Sequence, residues 1–140
     1  MKATDLRALA ALAAVGVLGA CAGENLFTVP GTGSGGSPTV EITAPTAGAT
    51  FSVGAPVSVA ANGTAQAGGA TAEFKGVYSA DGATAYTPQS VSISGLVNVA
   101  LSAELVAAPG QAAGTAVIIV TLTDQAGNRG ADSVTVTIAN

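Results

Sequence analysis

From Thr39 to the end of the chain, apolar and polar residues alternate with a period of two. Val40 and Ile42 alternate with Glu41 and Thr43, and Val57, Val59 and Ala61 with Ser58 and Ala60. Phe74, Gly76 and Tyr78 alternate with Lys75 and Val77, and Val91 and Ile93 with Ser92 and Ser94. Val97, Val99, Leu101 and Ala103 share one parity; Ile118, Val120 and Leu122 share another, opposite Thr121 and Thr123. Val134, Val136 and Ile138 close the series against Thr135 and Thr137. Successive side chains of a strand point to opposite faces, so each run predicts a strand with one face turned inward. The richness in β-branched residues agrees.

Turn-forming clusters separate the runs: residues 45–48, Asn62-Gly63, Gly68-Gly69, Asp81-Gly82, Pro109-Gly110 and residues 126–128. No segment after residue 20 reads as a long amphipathic helix. Residues 100–108 (ALSAELVAA) contain helix formers, but their parity continues the strand begun at Val97; a short helix is the alternative there. About seven short strands with frequent turns predict an all-β, antiparallel β-sandwich.

The N-terminus follows a different rule. Lys2 and Arg7 precede an uncharged apolar run, residues 8–18 (ALAALAAVGVL), and then Gly19, Ala20 and Cys21. As a helix the run would rise roughly 16 Å, about half of the hydrocarbon core of a bilayer. That suits a signal-peptide core and is too short to span. Residues 1–20 resemble a bacterial lipoprotein signal peptide, and LGAC resembles its lipobox. The resemblance implies that the Cys21 thiol takes a diacylglyceryl group and that cleavage falls between Ala20 and Cys21. The new Cys21 amine is then open to acylation. Small residues let a peptidase approach the backbone, and a thiol is a good nucleophile near neutral pH. Two or three acyl chains hold a protein firmly, whereas one binds reversibly. Ala22 stands where an Asp favours retention in the inner membrane of such bacteria, so the resemblance implies lipid anchoring in the outer membrane. The alternative is an ordinary secretory signal, with Cys21 incidental and a free, unlipidated binding domain.

Cleavage there leaves 120 of the 140 residues, enough for one domain. Residues 21–37 form the lipidated cysteine and a Gly-, Ser- and Pro-rich tether, with a small apolar cluster at Leu26, Phe27 and Val29. A flexible coil of that length reaches about 20–25 Å. Residues 38–140 form the sandwich. Cys21 is the only cysteine, so packing and hydrogen bonds must hold the domain without a disulfide.

Two stretches of the sandwich carry a second resemblance. PTVEITAPTAGATFSVGAPVSV and VIIVTLTDQAGNRGADSVTVTI are similar to the first and last strand pairs of bacterial immunoglobulin-like domains. The resemblance implies an immunoglobulin-like fold and is nearly silent on function. The Cys, Trp and Cys core of antibody domains is absent, and residues 71–95 match least clearly.

Charge narrows the function classes. Charged residues make up 9% of the chain. Beyond residue 20, Lys75 and Arg129 stand against seven carboxylates, a formal net charge of −5. Two isolated cations make no basic stripe, which excludes nucleic acid as an expected partner. The expected membrane contact is the covalent lipid on Cys21, with no other cofactor. There is no histidine to activate a nucleophile. Lys75 opposes Phe74 in parity, which makes it an outer residue rather than a buried base. The glycines at 31, 33, 35 and 36 lie in the tether, not in a strand-to-helix phosphate loop. The chain is therefore expected to be non-enzymatic: a module for envelope structure, or one that binds an envelope protein or glycan.

One constellation offers metal chemistry. Asp124, Asn128 and Asp132, with Glu41, carry oxygens that could contribute to a Ca²⁺ site at the end of a sandwich, as in a calcium-stabilised adhesin module. The simpler expectation is no metal. In that reading Asp124 caps a hairpin turn, Gly127 takes a positive φ and Asn128 bonds its own backbone. Asn62-Gly63-Thr64 reads as a turn in the same way.

Overall fold

Eight strands form where the alternation lies, in a computed structural model that describes residues 36–65, 68–95 and 98–140. They are β1 (Thr39–Ala44), β2 (Thr50–Ser52), β3 (Val57–Thr64), β4 (Ala70–Tyr78), β5 (Thr84–Ile93), β6 (Asn98–Leu105), β7 (Gly114–Asp124) and β8 (Arg129–Ala139). No helix occurs among the described residues. The compact unit spans Gly35–Asn140.

Two sheets face each other. One has the order β1-β3-β6 and the other β2-β8-β7-β4-β5. β5 is an edge strand, and residues 94–97 join it to β6. Among the described residues no further strand lies beside β6.

The inward faces are those the periodicity marks. Val57, Val59 and Ala61 of β3 and Leu101 and Leu105 of β6 pack against Phe74, Ile118, Val120, Leu122, Val136 and Ile138 of the facing sheet. Fully burying an aliphatic side chain of this size contributes about 1.5–3 kcal/mol, and these residues supply most of the core. Lys75 lies on the other face, paired with Ile119 of β7.

The sandwich stands as expected, with differences in detail: Asn62-Gly63, read as a turn, lies within β3. The strands number eight rather than about seven, because residues 50–52 form a short strand with one inward side chain, Phe51. The sandwich is not wholly antiparallel, since β2 pairs with β8 in parallel, from Thr50 opposite Thr137 to Ser52 opposite Ala139. The chain leaves the first sheet after β1, turns through residues 45–49 and joins the second. Residues 100–105 are strand, as parity required, so the helix alternative fails there. β5 begins well before Val91, at Thr84, and carries Pro88. An edge position tolerates Pro88 because proline's missing N–H need not pair there.

Candidate functional site

The hairpin between β7 and β8 contains the acidic motif. Asp124 Oδ1 accepts the Asn128 backbone N–H at 2.8 Å, and Oδ2 accepts Asn128 Nδ2 at 2.9 Å. The Asp124 N–H donates to the Asn128 carbonyl at 3.0 Å, and the Gly127 N–H donates to the Asp124 carbonyl at 3.1 Å. Gly127 has φ +85°, which an L side chain rarely adopts. Asp124 is only 6% exposed. The hydrogen bonds from Asn128 nevertheless hold its carboxyl below the usual carboxylate range, outweighing the opposite effect of burial. Both carboxylate oxygens thus serve the turn.

Asp132 does a different job. Its Oδ2 accepts the Ile42 backbone N–H at 2.8 Å and its Oδ1 the Ser133 N–H at 2.8 Å. Ile42 belongs to β1 at the edge of the three-stranded sheet, and Asp132 to β8 in the other sheet. The carboxylate ties the two together where the β1–β3 register shifts, between Ile42 and Ala44. Glu41 is exposed on β1 and pairs in register with Asn62. The structure therefore brings Asp124 and Asn128 together, while Asp132 and Glu41 serve elsewhere. Asp132 is four residues beyond Asn128 along β8, about 13 Å at the strand rise. Among the described residues no three acidic side chains converge to hold a metal ion. Ala20 and Cys21, the expected cleavage and lipidation residues, lie outside the described residues, as do residues 21–35 of the tether.

A shallow groove of about 450 Å³ lies on the outer face of the three-stranded sheet. Two cross-strand rows line it: Thr39, Thr64 and Asn98, then Glu41, Asn62 and Ala100. The methyl group of Ala100 leaves the hollow beside Asn62. Thr39 and Thr64 hydrogen-bond through their hydroxyls. The groove offers amides, hydroxyls and one carboxylate, with no aromatic ring or cation on its walls. Such a surface can hydrogen-bond to a hydroxyl-rich ligand and is unsuited to anions. A smaller hollow of about 250 Å³ lies at the same end of the sandwich, between residues 68–71, 92–94 and 123–125. Gln125 Nε2 closes one side by donating to the Gly68 carbonyl at 2.7 Å.

At the opposite end, residues 106–113 are pinned by contacts invisible to the sequence. Gln111 Nε2 donates to the Ala85 carbonyl at 2.8 Å, and its Oε1 accepts the Gly54 N–H at 2.8 Å. Tyr78 Oη donates to the Ala112 carbonyl at 2.8 Å and accepts the Ala112 N–H at 2.7 Å. Tyr86 is fully buried, and its Oη has no hydrogen-bond partner. Burial pushes this phenol above its ordinary value; the adjacent Gln111 offsets part of that effect. Gln111 lies beside the ring, but its amide is committed to Gly54 and Ala85. No sequence signal marks Gln111, because its partners are 26 and 57 residues away.

The two flanks of the sandwich differ. On one, β2 covers part of the edge of β8, and Asp132 of β8 takes the Ile42 N–H of β1. On the other, β5 and β6 are both edge strands. They are clasped only near residues 85–87 and 106–108, among the described residues, by Thr87 N–H to Val106 O at 2.8 Å and Ala108 N–H to Ala85 O at 3.0 Å. No protein-family model matches this chain, and no curated protein matches it.

Proposed function

We propose that this chain is a lipid-anchored, non-catalytic module of the bacterial cell envelope, with an immunoglobulin-like sandwich that recognises a protein or glycan. One observation carries the anchor: the only cysteine follows Leu18-Gly19-Ala20 at the end of a short apolar run with a basic start. Cys21 carries the lipid, and Ala22 directs the product to the outer membrane. Residues 22–37, with their Gly, Ser and Pro content, hold the sandwich clear of the head groups.

The roles of the carboxylates support the non-catalytic reading. Asp124 and Asp132 accept N–H groups and hold turns and strands, whereas general acid–base chemistry needs a proton-transfer group facing substrate. The open β5–β6 flank and the polar groove support recognition. Fold alone chooses no ligand.

The test is the intact mass and membrane partitioning of the chain from a bacterial host, beside a Cys21→Ser variant. The expected product is residues 21–140 plus lipid in the membrane fraction, with both mass gain and partitioning lost in the variant. An unlipidated chain in the soluble fraction would overturn the anchor.

A further inference from the structure

The β5–β6 flank leaves two demands unmet in one place. β6 pairs with β3 on one side only, so its other edge presents backbone donors and acceptors along Asn98–Leu105. Directly beside that edge, the inward face of the second half of β5 is only partly covered among the described residues. Val91 shares its row with buried Ala72, and Ile93 shares its row with buried Ala70. Val91 is nonetheless 36% exposed, and Ile93, Val99 and Ala103 are only partly buried. The reason is width: a three-stranded sheet cannot cover a five-stranded one, and the connection of residues 94–97 is too short to supply another strand.

A single extended strand against β6 would answer both demands. It would complete the backbone ladder and lay alternate side chains over Val91 and Ile93. The charge of the face narrows its chemistry. The outward row of β6 is Asn98, Ala100, Ser102 and Glu104, and the outer face of its sheet carries Glu41 and Glu104 with no cation. Lys75 and Arg129 both belong to the other sheet. A second copy would bring the same uncompensated acids to the joined sheet, whereas a basic segment would neutralise them.

We infer that the β6 edge binds an extended peptide segment of another protein, with apolar residues at alternate positions over Val91 and Ile93 and a basic residue beside Glu104. The inference names the partner class for the recognition role proposed above and does not depend on the lipid anchor.

The test uses the full chain carrying Cys21→Ser, so that failure of the anchor reading cannot affect it. A peptide of about nine residues, alternating valine with threonine and lysine, is titrated while amide exchange is followed by NMR. Its twin has glutamate in place of lysine. The lysine peptide is expected to slow exchange at residues 98–105 and to bind about threefold more tightly than its twin. Glu104→Lys should reverse that order, a change that misfolding cannot produce. Val91→Asp should weaken binding by about tenfold while the spectrum stays folded. Unchanged exchange along β6 at millimolar peptide would overturn the inference. So would a lysine preference that survives in Glu104→Lys, or a sedimentation result showing the β6 edge occupied by a second copy of the chain.

Discussion

The two flanks of this sandwich face the same problem and meet it differently. Every open sheet has edges, and an edge exposes unpaired backbone and invites pairing with other chains. On the β1–β8 flank the edges are sealed. β2 crosses over and pairs with β8, Gly48 and Val53 extend that contact at 2.8 Å to Thr135 and Ala139 carbonyls, and Asp132 takes the Ile42 N–H. The segment before β1 closes the rest, since Pro38 is buried and its carbonyl lies against Gly130, where any side-chain carbon would overlap it. On the β5–β6 flank no strand crosses among the described residues. Protection from those residues consists of Pro88 and the clasp at residues 85–87 and 106–108. The difference teaches that sealing an edge takes chain length: residues 45–56 supply it on one side, and residues 94–97 are too few on the other.

The comparison can be broken or sharpened by mutation. The largest effect belongs to the core beneath both flanks. Ile118→Ala is expected to cost about 3 kcal/mol in urea unfolding, because Ile118 is fully buried. A loss below half that size would show that the core is not shared. On the sealed flank, Gly130→Ala should cost about 1–3 kcal/mol by pushing Pro38 away. Asp132→Ala should cost about 1–2 kcal/mol and speed amide exchange at Ile42, the donor it leaves without its acceptor.

Acid should weaken the hairpin. The Asp124 carboxyl is held below its ordinary value when folded, so its stabilisation is present above the unfolded carboxylate range. It is lost as pH falls from about 4 through the lower folded value. Thermal melts should therefore show a steeper acid limb for the natural chain than for Asp124→Asn. The smallest effect is expected on the open flank: Val91→Ser should change unfolding by less than about 0.5 kcal/mol. A larger loss would mean that this face is covered after all.

Much of the fold was legible in the sequence because strand alternation is a local rule. Seven of the eight strands lie where a period of two marks them, and the inward residues Phe74, Ile118, Val120, Val136 and Ile138 follow from parity alone. The turn at Asp124 was legible for the same reason, since Gly127 and the Asp124 carboxylate act within four residues, although the Asn128 side chain, expected on its own backbone, donates to that carboxylate instead. β2 was not legible: three residues with one inward side chain make too short a pattern, and its partner lies 87 residues further on. The first half of β5 was hidden because proline interrupts the alternation and register shifts break it.

The N-terminal sequence by itself determined the expectation of a lipid anchor at Cys21, since the feature is a contiguous run of residues. Periodicity by itself determined which side chains face inward. Only the tertiary structure decided that Asp132 joins two sheets, that Gln111 pins the loop of residues 106–113 and that one flank is sealed while the other is open. Those outcomes depend on contacts such as Asp132 to Ile42, 90 residues apart, and on the unequal widths of two sheets. Neither is a local property of the chain, because each arises only when distant strands choose their neighbours.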